Sequence, residues 1–203
     1  LDIKPTRSEL IKLKARIKQT KTGYKLLKMK RDGLFHEFRQ LLSKMIEAKR
    51  ELTDAYSLAK QRIDLANAID GGLAVRAAAI ANSAHPEVEV ERRNIMGVVV
   101  PSVSGTNLKS TFEERGVGYI GSSPYIDEAS DSFSNLIEKI VTASEMEATL
   151  KRLLEEIEAT KRRVNALEFK VIPELEEAKV FIQLRLEEME REETFRLKRF
   201  KNK

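Results

Sequence analysis

Two long segments of this chain place apolar residues at alternating steps of three and four. That spacing confines a chain to helices buried along one narrow stripe. The first stripe reads Leu10, Leu13, Ile17, Thr20, Tyr24, Leu27, Arg31, Leu34, Phe38, Leu41, Met45, Ala48, Leu52, Ala55, Ala59, with only Thr20 and Arg31 polar. The second reads Phe133, Leu136, Ile140, Ala143, Glu147, Leu150, Leu154, Ile157, Lys161, Val164, Glu168, Val171, Leu175, Ala178, Ile182, Arg185, Met189, with four polar positions. A seven-residue repeat held this long under-winds each helix to 3.5 residues per turn and implies a left-handed supercoil. The expected fold is mainly α: a long antiparallel two-helix coiled coil with a small β-hairpin insert in the middle of the chain.

Three segments follow from the punctuation. Residues 1–72 form the first coiled-coil helix, opened by a capping box of Thr6 and Glu9 and stopped by Gly71-Gly72. Its 65 or so residues would span roughly 100 Å at ~1.5 Å each. Residues 73–123 form the insert: a short Ala-rich helix from Leu73 to Asn82, then one or two hairpins between residues 88 and 121. In that reading Ile95 to Val100 is strand, and the Gly, Ser and Thr of residues 102–123 supply turns. Residues 124–203 form the second helix, with Ser123 as N-cap, Pro124 in the first turn and a kink expected before Pro173. Antiparallel pairing would set Arg31 opposite Glu168, a mutual ion pair that locks the register.

The composition suits long solvated helices: 34% charged, 6% aromatic, no Trp and nine Gly among 203 residues. Without cysteine there is no disulfide framework, thiolate nucleophile or zinc-thiolate site. No apolar run approaches the ~20 residues of a membrane span, and the opening does not read as a signal peptide. Net charge is +5, but it is strongly polarised. Residues 1–31 carry eleven Lys and Arg against two acids, and residues 194–203 carry five and none. Antiparallel pairing would bring both basic segments to one end, which implies an acidic partner surface or nucleic acid there.

Catalytic patterns are not convincing. Gly116, Gly118 and Gly121 spell G-x-G-x-x-G, but no βαβ unit surrounds them, so turn glycines are the better reading. His36 and His85 lie far apart without carboxylates at ligand spacing. The paired glutamates 155–156, 176–177 and 187–188 sit among lysines and arginines, as on an ordinary helix surface. No catalytic residue, cofactor site or metal site is expected. A basic coiled coil that binds nucleic acid is one alternative and a passive coiled-coil scaffold another. Against the first, only Tyr24 and Gln19 interleave the bases of residues 12–31.

Several stretches resemble the D subunit of the rotary V-type and A-type ATPases. They are PTRSEL (Pro5–Leu10), Gly23 with LLKMKRDGL (Leu26–Leu34), NIMGVVVP (Asn94–Pro101), RRVNALE (Arg162–Glu168) with VIP (Val171–Pro173), and LEEMEREETFRLKR (Leu186–Arg199). The resemblance runs nearly end to end and in order. It implies a non-catalytic central-stalk rotor that carries torque between a nucleotide-binding ring and a membrane ion-translocating ring. Implied partners are the catalytic and non-catalytic ring subunits, an F subunit on the stalk and a socket subunit above the membrane ring, with no nucleic acid and no direct membrane insertion. The implied location is cytoplasmic, peripheral on the membrane as part of the complex. Ring contact would fall to the basic end: Lys4, Arg7, Lys12, Lys14, Arg16, Lys18, Lys21, Arg191, Arg196, Lys198 and Arg199. The signature region would comprise Gly23, Leu26, Leu27, Lys28, Lys30, Arg31, Asp32, Arg162, Arg163, Asn165, Glu168 and Pro173.

Overall fold

The computed structural model describes residues 5–82, 87–106 and 123–201. Helix α1 runs Arg7–Ile69 and α2 Gly72–Ala81. A hairpin follows, β1 Glu87–Ile95 and β2 Val98–Thr106. Helix α3 runs Pro124–Ala166, a π-helical turn covers Leu167–Val171, and α4 runs Ile172–Lys201. The chain divides into two compact units, one of Leu1–Leu34 with Glu156–Lys203 and one of Phe35–Glu155.

The helix boundaries follow local chemistry. Thr6 Oγ1 accepts the Glu9 amide at 3.2 Å, which satisfies one of the orphan N–H groups at the start of α1. At the other end Gly71 takes φ 83°, a left-handed conformation that a side chain would resist, and α1 closes there. Ser123 Oγ accepts the Tyr125 amide to open α3.

All fifteen positions of the first apolar stripe are buried or half-buried. The second stripe needs correction. Ile140, Glu147, Leu154, Lys161 and Glu168 are exposed, while Lys139, Met146, Leu153, Thr160 and Leu167, each one residue earlier, are turned inward. Leu136, Ala143, Leu150, Ile157, Val164 and Val171 are buried or half-buried as expected. Beyond Val171 the predicted phase returns, with Leu175, Ala178 and Ile182 on the seam, before Leu186 replaces Arg185. The π turn is the reason. Its Ile172 amide donates to the Leu167 carbonyl, five residues back, so one extra residue enters the turn and the apolar phase steps by one. Pro173 follows at once. It has no N–H for the Phe169 carbonyl that an α-helix would pair with it, and a widened turn stands at the place where a kink was expected.

In the first unit the dry core joins Leu13 and Ile17 of α1 to Ala178 and Ile182 of α4, with Leu10, Leu175 and Leu186 packed around it. Arg7 bonds Glu190, and Lys21 bonds Glu176 at 2.6 Å, so the helices run antiparallel there. The expected Arg31–Glu168 pair does not form. Arg31 bonds its neighbour Asp32, from Nη2 at 2.7 Å and Nε at 3.0 Å, and Glu168 lies exposed in the π turn. A carboxylate on the adjacent residue outcompetes one that must be reached across the seam.

In the second unit α1 also pairs with α3. Arg62 donates to Ser132 Oγ at 2.8 Å, and Lys139 bonds Glu51 at 3.2 Å. The hairpin is antiparallel, with Ile95 paired to Val98. Its two-residue turn is Met96-Gly97, both at positive φ, and the Gly97 amide donates to Asn94 Oδ1 at 2.8 Å. NIMGVVVP is therefore a turn with strand on either side, and Ser102–Thr106 is strand where turn was expected. Period-2 alternation sends Val98, Val100 and Ser102 to one face; both valines are buried and Ser102 donates to Glu145 of α3 at 3.2 Å. Any second hairpin, the glycines 116, 118 and 121, and His85 lie outside the described residues.

Candidate partner-binding surface

The basic end of the first unit is built from the first turns of α1 and the last turns of α4. Lys12, Lys14, Arg16, Lys18 and Lys21 surround the buried Leu13 and Ile17, so the seam fixes their outward direction. Lys14, Arg16 and Lys18 form no ion pair among the described residues. Arg7 and Lys21 instead tie α1 to α4, and Lys12 sits 3.7 Å from Glu9. Lys4 lies outside the described residues.

The two basic segments are not level with one another. Arg7 already meets Glu190, so residues 191–201 continue past the start of α1 and every one of them is exposed. Arg191 and Arg196 turn back onto Glu187 and Glu192, one turn earlier, each at 3.8 Å. Lys198 and Arg199 form no ion pair among the described residues. The cationic surface is thus two-part: a paired stretch on α1 and an overhanging single-helix tip on α4.

Apolar side chains are interleaved with those charges. Ile11 is 69% exposed, and Phe181, Leu184, Phe195, Leu197 and Phe200 are also open to solvent. Exposed bulky residues this dense, rimmed by Lys and Arg, mark a surface that another molecule covers. Sequence reasoning missed this half of the surface because the apolar count was assigned wholly to the seam.

The signature residues share the same unit. Gly23 is half-buried, with open space where a Cβ would stand. Leu27 lies on the seam and Leu26 points out at 58% exposure. Lys28 sits 5.8 Å over the Tyr24 ring, and Lys30 bonds Glu156 of α3 at 3.0 Å. Arg31 and Asp32 pair with each other. Arg162, Arg163 and Asn165 are exposed on α3, Glu168 is exposed in the π turn, and Pro173 is half-buried at the start of α4. Of Glu156, Glu176 and Glu190, which anchor α1 from across the seam, the first two were read as ordinary surface pairing within their own helix and the third was not singled out; a glutamate facing a basic helix looks like any other surface acid.

One carboxylate carries an electrostatic mark. The Lys21 ammonium, hydrogen-bonded to Glu176 and attracting its charge, holds that carboxyl below the ordinary carboxylate range, with Lys179 adding a smaller pull. Elsewhere the chemistry is plain. Among the described residues no group of three or more His, Cys, Asp or Glu could hold a metal ion, and no helix is long and apolar enough to cross a membrane. His36 is exposed, its Nε2 2.9 Å from Gln40.

Comparison with known proteins covers this whole arrangement. Residues 9–202 match the family described as the ATP synthase D subunit. The A-type ATP synthase D subunit of Methanococcoides burtonii is 55% identical over 200 residues, 98% of this chain and 97% of the relative. That of Methanosarcina mazei is 54% identical, covering 98% and 96%. That of Haloquadratum walsbyi is 48% identical over 202 residues, covering 100% and 87%.

Proposed function

The chain belongs to the ATP synthase D subunit family, and we propose that in the assembled complex it is the central-stalk rotor, passing torque between the nucleotide-binding ring and the membrane ion-translocating ring. It carries no catalysis itself. The observation that supports this best is the mixed surface of the basic end. A dry seam and two cross-helix ion pairs hold α1 against α4, while Lys14, Arg16, Lys18, Lys198 and Arg199 stand outward among exposed Ile11, Phe181 and Leu184. Long flexible cations give only ~0–1 kcal/mol per exposed pair, so such a surface holds to an acidic lining without locking onto one face of it. That is what a part turning against similar neighbours needs.

In this reading the ring subunits meet Arg7, Lys12, Lys14, Arg16, Lys18 and Lys21 of α1, with Arg191, Arg196, Lys198 and Arg199 of α4. An F subunit and a socket subunit complete the stalk, and the chain is peripheral to the membrane. Nucleic acid is the weaker reading. The aromatic among the bases of residues 12–31, Tyr24, is half-buried and already has Lys28 over its face, so no ring is free there to stack on a base.

The test is reconstitution. The full chain, mixed with a purified catalytic ring and the F subunit, is expected to co-elute and raise ATPase turnover. Replacing Lys14, Arg16, Lys18, Lys198 and Arg199 with Gln should weaken the complex, most visibly as salt is raised. A wild-type chain that ignores the ring at physiological salt would overturn the assignment.

A further inference from the structure

The first unit is not packed evenly. On α1 no residue between Ile17 and Leu34 is fully buried, and on α3 and α4 none is between Val164 and Ala178. Both seams are dry on either side of these windows. Within them lie Gly23, where a Cβ would meet nothing within 4 Å, and the π turn, none of whose five residues is buried. Phe169, at the centre of that turn, is 76% exposed. The two helices thus share a stretch where side chains are at most half-buried and where the α-helical ladder of one of them is interrupted.

The extra residue in the π turn has a definite geometric effect. Carried straight on as α-helix, the upstream phase of Leu153, Ile157, Thr160, Val164 and Leu167 would bring Glu174, Phe181 and Arg185 to the seam. The inserted residue brings Leu175, Ile182 and Leu186 there instead. The sequence after the turn is therefore phased one residue late, and the π turn corrects it. An uninterrupted heptad would have needed no such device, and an i→i+5 turn is a rarer and weaker arrangement than the α-helix on either side.

We propose that Leu167–Val171 is a torsionally compliant joint. Under twist the turn exchanges its i→i+5 hydrogen bond for i→i+4 bonds and back, so α4 rotates about its own axis relative to the end of α3 while the seams beyond both windows stay closed. Twist along a continuous helix concentrates in its softest turn. Here that turn lacks one donor at Pro173, has no buried side chain, and lies between the Lys21–Glu176 and Lys30–Glu156 pairs that also bracket Gly23 on α1. This rests on the rotor reading above, because only a part that carries torque has twist to store.

Deleting Phe169 tests it. The deletion, made together with Pro173→Ala so that no proline stands inside the resulting α-helix, removes the inserted residue and leaves Leu175, Ile182 and Leu186 in phase with Leu167, so the variant should fold with unbroken α-helix. Amide hydrogen exchange on the full wild-type chain should show fast exchange at residues 170–172 between protected turns, and the deletion should abolish it. In the assembled complex, the thermal angular fluctuation of a bead on a stalled rotor should narrow in the deletion variant. Pro173→Ala, which restores the missing donor but keeps the extra residue, should narrow it less.

Wild-type protection at residues 170–172 equal to that of the flanking turns would overturn the proposal. So would loss of helical circular dichroism on deletion, since the phase account requires the seam to survive, or a fluctuation width that the deletion leaves unchanged. A wild-type chain that failed to join the ring would count against the rotor reading instead, and the exchange experiment would still report on the joint.

Discussion

Thr160 is fully buried on the seam of α3, and its hydroxyl has no hydrogen-bond partner. Other helical threonines solve this locally: Thr20, Thr22, Thr53, Thr142 and Thr194 each donate to the carbonyl four residues back. Thr160 does not. A buried hydroxyl left unmatched costs about 1–3 kcal/mol, and a buried methyl group in its place adds roughly 0.8 kcal/mol of apolar transfer. Valine has the same shape and nearly the same helix propensity as threonine. Thr160→Val is therefore expected to stabilise the chain by about 1–2 kcal/mol after allowance for imperfect packing. For a chain of this size that is a rise of roughly 3–6 °C in melting temperature, read by circular dichroism at 222 nm and checked by urea unfolding. Thr160→Ser, which keeps the hydroxyl and removes the methyl, should go the other way by about 1 kcal/mol. A valine variant that melts at or below the wild type would show that the hydroxyl is satisfied, and the packing account of this layer would fall with it.

Three other outcomes follow from single contacts. Met96 occupies a left-handed position at φ 51° in the hairpin turn and is half-exposed; Met96→Asn, giving the favoured Asn-Gly pair, should stabilise the hairpin by about 1 kcal/mol, visible as slower amide exchange across β1 and β2. Gly23 sits inside α1 with room for a Cβ, so Gly23→Ala should add about 0.5–1 kcal/mol of stability by thermal melting, and a loss would mean the glycine is needed for close approach. The carboxyl of Glu176 is held low by Lys21. A group depressed in the folded state stabilises above its unfolded pKa and loses that contribution as pH falls through its folded one. Carboxyl NMR should find Glu176 titrating below the ordinary carboxylate range, and Lys21→Met should raise it and remove most of its share of the acid destabilisation.

Much of the fold was legible because helices in water declare themselves by periodicity and punctuation. The cap at Thr6, the stop at Gly71-Gly72, the cap at Ser123 and every position of the first stripe follow from local chemistry that needs no tertiary partner. The hairpin was legible in kind but not in place. Met96-Gly97 is a weak turn signal, since methionine seldom takes positive φ, and the small residues Ser102–Thr106 looked like loop although pairing with β1 makes them strand. The candidate surface was legible in charge alone. That the cations of α4 run past the start of α1 depends on which glutamate Arg7 meets, and one helix read by itself has no information about that.

The second stripe failed in an instructive way. Read in one phase from Phe133 to Met189, it held Glu147, Lys161 and Glu168 at positions that should have been dry. Explaining Glu168 by an ion pair with Arg31 saved the single phase at the cost of a contact that does not exist. The residue before each intrusion is Met146, Thr160 or Leu167, less polar in every case, and the improvement ends at the turn preceding Pro173. Polar residues recurring at one heptad position upstream of a proline, with a better residue always one place earlier, are what an inserted residue looks like in sequence. A proline inside a coiled-coil helix removes a donor, a π turn tolerates the loss, and the turn's extra residue must show up as a phase step. The step was present in the letters. It was hidden by the assumption that a long helix keeps one count from end to end.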